Sequence, residues 1–168
     1  MAFERRNNTG LIEKKLRNWF SDAQRVVLAG IGNPIRKDDF VGVKIIRHLK
    51  NRSSTSVYAI ECETIPESFI DSIEKFKPTH ILVIDAALLN LKPGSARLLN
   101  LIEMAKLPAI STHTLPLKIF CEYLKKTTGA KIALLAIQPG DTNFGEGLTA
   151  ELEKTAKKLA NLLLKILP

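Results

Sequence analysis

The stretch VVLAGIGNPIRKDDFVGVKIIRHL, residues 26–49, decides the fold. It opens with VVLAGI at 26–31, an apolar run typical of a strand that is buried on both faces. After the loop GNPIRK, residues 38–49 carry apolar side chains at helical spacing, namely Val41, Ile45, Ile46 and Leu49. Asp38 is expected to cap the start of this helix. A buried strand followed by an amphipathic helix is the repeating unit of a parallel α/β sheet.

Strands and helices continue to alternate on both sides of this unit. Further strands are predicted at 57–62, 80–86 and 131–137, and SARLLN at 95–100 is expected to form a short edge strand. Helices are predicted at 11–20, 66–76, 115–127 and 149–166. The alternation predicts an α/β fold, a single doubly wound domain with a twisted, mostly parallel sheet of about five strands between helices.

Composition and charge exclude several classes of function. The chain has 168 residues, 45% of them hydrophobic and 25% charged, which is typical of one globular domain. No apolar run approaches the roughly 18 residues of a membrane span, and the first residues lack the pattern of a secretory signal. A cytoplasmic protein without a membrane span is therefore expected.

The net charge of +8 is spread singly along helical faces, so nucleic-acid binding is not expected. Cys62 and Cys121 have neither disulfide nor zinc spacing and are expected to be buried free thiols.

Polar residues follow the predicted strands at the edge where doubly wound folds bind ligands. Asp38 and Asp39 come after the loop of the first strand, Asp85 lies at the end of HILVIDA, and His113 lies in STHTLPL. Each has an ordinary interpretation: a helix cap for Asp38, a favourable first-turn charge for Asp39, backbone hydrogen bonds for Asp85, and a surface position for His113. Together, two carboxylates and an imidazole would suit a divalent metal with open coordination positions.

The loop after the first strand has no nucleotide-binding motif. Gly30 and Gly32 are expected to allow a tight turn. However, G-x-G-x-x-G would require glycine at position 35, where Ile35 stands, and no P-loop is present.

Four blocks of sequence together resemble the hydrogenase maturation endopeptidases, which process the large subunit of nickel-iron hydrogenases. They are GIGNP with the following DD pair, VIDA with Asp85, STHTLPL with His113, and AIQP with Gln138. The resemblance covers roughly residues 25–166. It implies a maturation protease domain at 25–168, with residues 1–24 as an N-terminal helical extension packed on it. One position departs from the family, because Phe40 stands where glycine usually follows the DD pair.

The resemblance also implies an activity and a site. The activity is removal of a C-terminal extension from the nickel-iron hydrogenase large-subunit precursor after nickel insertion, by a protease that the family classification places with the aspartyl proteases. Asp39, Asp85 and His113 match the family's nickel-binding residues and are expected to be both the metal ligands and the catalytic set. The precursor supplies the nickel, so the free enzyme is expected to be metal-poor. A monomer is expected.

Catalysis and function retain alternatives. Neither cysteine lies in a recognisable nucleophile setting, so nickel is expected to polarise the scissile carbonyl or to lower the pKa of a bound water. The alternative mechanism is a proton shared between Asp39 and Asp85, as in aspartic proteases.

Two other functions are considered. A peptidyl-tRNA hydrolase-like esterase would require a histidine and an asparagine where the chain reads RKDDFVG. A phosphoacceptor signalling domain, with Asp85 as acceptor, would place its acid pair directly after the first strand.

Overall fold

The structure is a computed structural model that describes residues 2–49, 54–108 and 114–168, with side chains from residue 9 and, after the second gap, from residue 117. The helices are α1 (Ala2–Trp19), α2 (Val41–Leu49), α3 (Ile70–Phe76), α4 (Leu101–Met104), α5 (Thr114–Thr128) and α6 (Ala150–Ile166). The strands are β1 (Val26–Ile31), β2 (Val57–Glu63), β3 (His80–Ala86), β4 (Ala96–Leu99) and β5 (Lys131–Ile137). Short 3₁₀ turns, Lys37–Phe40 and Pro66–Phe69, precede α2 and α3.

The five strands form one sheet in the order β2-β1-β3-β5-β4. All neighbours are parallel except β4, which pairs antiparallel with β5 at the edge. Every residue of β3 is buried, as expected for a central strand covered on both faces. The predicted fold class is thereby confirmed, and so is the predicted short edge strand.

Alternate residues of the strands face two apolar layers. Leu28, Leu82 and Leu135 pack with α1, α2 and α6 on one side of the sheet. Ala29, Val83 and Leu134 pack with α3 and α5 on the other side. Because consecutive strand residues point to opposite faces, continuous apolar runs such as VVLAGI serve both layers at once. The parallel strands therefore end at one common edge, to which their following loops belong.

Helix α1 contributes to one of these layers. Its residues Ile12 and Leu16, with Phe20 just after it, are almost fully buried and belong to the same apolar cluster as α2 and α6. The helix is longer than the predicted 11–20. The division of the chain at residue 24 stays a prediction.

Two further findings concern expectations from the sequence. Cys62 and Cys121 are free and buried, as predicted, and burial raises the pKa of each thiol to about 12. Across the described ranges, no helix has both the length and the apolar character needed to cross a membrane.

Candidate active site

Asp85 lies at the end of the central strand β3 and is 4% exposed. Its Oδ1 atom is buried and has no hydrogen-bond partner in the described part of the chain. Burial raises the pKa of Asp85 well above its usual value of 3.8, the nearby charge of Asp39 raises it further, and a hydrogen bond from the Ala86 backbone acts in the opposite direction. A buried carboxylate with an unsatisfied oxygen is unfavourable unless a proton or a cation neutralises it. Asp85 is therefore suited to bind a proton or a cation.

Asp39 lies in the 3₁₀ turn Lys37–Phe40 and is half-buried. The backbone N–H of Asn33 donates to Asp39 Oδ2 at 2.9 Å, and the side chain of Asn33 accepts from the N–H of Ile35 at 3.1 Å. The loop after β1 therefore folds back on itself and fixes this carboxylate. The turn that carries Asp39 packs against the end of β3, and the charge of Asp39 raises the pKa of Asp85, so both predicted site residues lie at the carboxyl edge of the sheet.

Two glycines allow this approach. A Cβ atom at Gly42 would collide with the carbonyl oxygens of Ile84 and Ile31, so the first turn of α2 rests directly on the backbones of β1 and β3. Gly32 has a φ of 153°, and a Cβ there would collide with the backbone of Asp39. The tight turn predicted at Gly32 is thus confirmed, whereas the turn predicted at Gly30 is wrong, because Gly30 lies within β1. The close packing at Gly42 follows from the tertiary structure and has no local sequence signal.

Asp38 does not cap a helix, which makes that prediction wrong. Its side chain is fully buried and accepts four hydrogen bonds from the loop before α6. The donors are the N–H groups of Gly140, Asp141 and Thr149, at 2.9, 3.0 and 2.7 Å, and the Thr149 hydroxyl at 3.0 Å. These partners lie more than a hundred residues away, so no local pattern indicates them. Asp38 joins the loop after β1 to the loop after β5.

Gln138 fixes the loop that follows Asp85. Its Oε1 atom accepts from the N–H groups of Leu89 and Leu91, at 2.7 and 3.4 Å, and its Nε2 donates to the carbonyl of Pro139 at 3.2 Å. Gln138 is buried at the end of β5, the strand next to β3. The sequence indicated Gln138 only as part of the AIQP block. The structure shows it as a positioning residue for the loop beside the acids.

His113 lies outside the described residues. A cavity of about 30 Å³ is lined by Asp85 together with Leu88, Met104, Pro108 and Leu117, among others. Pro108 and Leu117 are described residues on either side of the segment that contains His113. The roles predicted for Asp39, Asp85 and His113 as ligands and catalytic residues stay predictions. Within the described residues, no three His, Cys, Asp or Glu side chains are arranged to hold a metal ion.

His80 belongs to a different place, at the start of β3 and so at the opposite edge of the sheet. Its ring lies 4.9 Å from the ring of Trp19, its Nε2 is 3.2 Å from Asp22 Oδ1, and its Nδ1 is 3.0 Å from the Thr79 hydroxyl. Asp22 also pairs with Lys131 at 2.6 Å. Burial lowers the pKa of His80, although the charge of Asp22 opposes this effect. His80 thus has a structural role, fastening the end of α1 to the sheet.

Comparison with known proteins gives these acids a context. The family model described as HycI, hydrogenase maturation protease, matches residues 43–166. A Methanocaldococcus jannaschii protein assigned to the hydrogenase maturation proteases is 33% identical over 164 residues, which cover 93% of this chain and 96% of that protein. The hydrogenase 3 maturation protease of Escherichia coli K12 is 28% identical over 127 residues, covering 76% of this chain and 81% of that protein.

A solved structure agrees in fold as well as in sequence. The crystal structure of the [NiFe] hydrogenase maturation protease HycI from Thermococcus kodakarensis superposes with a TM-score of 0.83 at 35% identity, over 90% of this chain and 97% of that chain. The family match covers well over half of the residues, and the identity extends over nearly the whole length. The chain therefore belongs to the HycI hydrogenase maturation protease family, and it is a peptidase of hydrogenase processing.

Proposed function

We propose that this endopeptidase removes the C-terminal extension of a nickel-iron hydrogenase large-subunit precursor after nickel has been inserted. Nickel carried by the precursor is recognised by Asp39, Asp85 and His113, and it belongs to the substrate rather than to the resting enzyme. The observation that carries the proposal is the unsatisfied, buried Oδ1 of Asp85 beside the charge of Asp39.

The chemistry of the two acids fits a cation delivered from outside. Two carboxylates held close together repel one another, which is part of why the pKa of Asp85 is raised. A divalent ion removes that repulsion and supplies the missing partner of Asp85 Oδ1. An imidazole from His113 would complete a set of two oxygens and one nitrogen, a set that suits borderline metals. Two acids and one histidine form a weak and open site, so we expect the free enzyme to purify mostly without metal.

The residues of the chain have separate parts in this reaction. Asp39 and Asp85 hold the precursor by its nickel, and this fixes which peptide bond lies in the site. When present, the ion polarises the scissile carbonyl or lowers the pKa of a water molecule. The backbone N–H of Asn33 holds the Asp39 carboxylate, and the side chain of Gln138 holds the loop that follows Asp85. The alternative is an acid pair that shares one proton without metal, for which the raised pKa of Asp85 would also be suitable.

The proposal also covers the cellular location and the oligomeric state of the enzyme. We infer that the enzyme acts as a monomer in the cytoplasm, where free thiols such as Cys62 and Cys121 are usual. Family membership argues against the two other classes of function, a peptidyl-tRNA hydrolase-like esterase and a phosphoacceptor domain.

The decisive experiment compares three substrates by intact-protein mass. These are the nickel-loaded precursor, the same precursor without nickel, and a synthetic peptide that spans the cleaved bond. We expect a mass loss for the nickel-loaded precursor alone, and no cleavage by the Asp85→Asn or His113→Ala variants. Efficient cleavage of the peptide in the presence of a chelator would reject nickel-dependent recognition and favour the shared-proton mechanism. Absence of cleavage with all three substrates would reject the proposed substrate.

A further inference from the structure

The loops at the carboxyl edge of the sheet expose large apolar side chains around the acids. Ile35 follows β1, Ile65 follows β2, Leu88 follows β3 and Phe144 follows β5, and each is more than 40% exposed. Phe144 is the most exposed of them, at 76%. Single exposed apolar residues are ordinary, but several of them around one site indicate an interaction surface.

The loops that carry Ile35 and Phe144 are joined by backbone hydrogen bonds. The N–H of Gly145 donates to the carbonyl of Ile35 at 3.0 Å, and the N–H of Lys37 donates to the carbonyl of Gly145 at 3.1 Å. An ion pair of 2.6 Å between Lys37 and Asp141 joins the same two loops. The two apolar side chains are therefore displayed by fixed loops, and little conformational entropy is lost when a partner covers them.

Arg36 supplies a positive charge between them. Its guanidinium carbon lies 5.5 Å from the centre of the Phe144 ring, and its Nε donates to the carbonyl of Thr142 at 3.3 Å. In contrast to Lys37, Arg36 has no carboxylate partner in the described part of the chain. A guanidinium stacked on an aromatic ring with unused N–H groups is well suited to bind a carboxylate.

The position of this patch relates it to the site. The carbonyl of Arg36 accepts from the N–H of Asp39, and Ile35 is bonded to Asn33, which in turn holds the Asp39 carboxylate. The same turn therefore carries both the patch and one of the acids. A polypeptide that reaches Asp39 therefore comes next to the patch.

We propose that Ile35, Arg36 and Phe144 form a docking patch for a segment of the precursor polypeptide that carries an apolar side chain next to a carboxylate. The inference rests on the proposed function for the identity of the partner. The apolar side chain packs against Ile35 and Phe144, and the carboxylate pairs with Arg36. The patch contributes to binding and not to bond cleavage, so its loss acts on KM and leaves kcat unchanged.

The test measures KM and kcat for cleavage of the nickel-loaded precursor, and separately the Kd of the uncleaved precursor by biolayer interferometry. The variants are Phe144→Ser and Arg36→Glu, and Leu11→Ser is the control, since Leu11 is also a well exposed apolar residue but lies in α1 and not in a loop that follows a strand. Circular dichroism melts confirm that each variant folds. We expect KM and Kd to rise about tenfold in each patch variant, with kcat unchanged and Leu11→Ser like the wild type. The Arg36→Glu effect should weaken at high salt.

The outcomes separate this inference from the proposed function. If the wild type cleaves the precursor and the patch variants keep its KM and Kd, the docking patch is rejected alone. If the wild type binds without cleaving and the variants bind weakly, the patch stands and the proposed function fails. A wild type that self-associates on a sizing column, with a monomeric Phe144→Ser of unchanged KM, would make the patch an interface between two copies and overturn the proposal.

Discussion

Burial of Asp85 at the end of β3 disfavours its ionised form. The pKa of Asp85 is raised in the folded protein, so the folded state binds more protons than the unfolded state at pH values above 3.8. The free energy of unfolding of the metal-free protein should therefore fall as pH rises from 3.8 through the raised pKa. Asp85→Asn removes this dependence.

We expect the Tm of Asp85→Asn to exceed that of the wild type by a margin that grows as the pH rises from 3.8 toward the raised pKa, while precursor processing is lost. Differential scanning calorimetry in a chelating buffer measures this margin. Asp71→Asn, at an exposed position, is the control. A margin that is constant with pH would show that ionisation of Asp85 does not destabilise the folded protein.

Asp38 illustrates what is lost when a buried acceptor is removed. Asp38→Ala leaves the N–H groups of Gly140, Asp141 and Thr149 without their acceptor, and each such loss in the interior is unfavourable. We expect the free energy of unfolding to fall by about 3 kcal/mol, measured by urea denaturation. The comparison variant Asp141→Ala keeps its backbone N–H and loses a partly exposed ion pair with Lys37 and a hydrogen bond from the N–H of Asn143, so its stability should fall much less than that of Asp38→Ala. Equal losses in both variants would contradict the role given to Asp38.

At the scale of elements, the close packing of α2 on the sheet positions the acids. A methyl group at Gly42 must push α2 away from the carbonyl oxygens of β1 and β3, which moves the turn that carries Asp39. We expect Gly42→Ala to lower stability by about 2–3 kcal/mol and to reduce processing sharply. Gly10→Ala is the control, because a Cβ there has open space in α1 and should stabilise the helix slightly. Normal processing by Gly42→Ala would show that the acids tolerate a shifted helix.

The elements that sequence predicted are those with a long apolar pattern. All five strands and the long helices α5 and α6 are close to their predicted bounds, because periodic burial in the core imposes that pattern on the chain. Helix α4 was missed since it has four residues, of which Met104 alone is buried, and it is fixed by a capping box between Asn100 and Glu103. At the candidate site, the sequence order of the loops indicated the edge shared by Asp39 and Asp85. The partners of Asp38 and the close packing at Gly42 are long-range contacts that no local pattern encodes.

At the scale of the whole molecule, α1 should behave as part of one cooperative unit. Ile12, Leu16 and Phe20 are buried in the layer that also holds α2 and α6, and each contributes roughly 1.5–3 kcal/mol by burial. We expect the amides of residues 10–19 to exchange hydrogen only by global unfolding, with the same protection as β3. Native-state hydrogen exchange measures this directly. Weaker protection of α1 alone would make residues 1–24 a separate extension, as the predicted boundary describes them.

The packing of Trp19 on His80 has a practical consequence. Trp19 is the one tryptophan in the sequence, so all indole fluorescence reports on a single place, the edge of the sheet opposite the acids. A protonated imidazole quenches indole emission, whereas the neutral ring quenches it weakly. Since burial lowers the pKa of His80 from 6.5, the emission should be bright at neutral pH and dim only below pH 6.5, and His80→Gln should abolish the titration. The molecule thus carries its own optical probe, placed where it can follow α1 without disturbing the site.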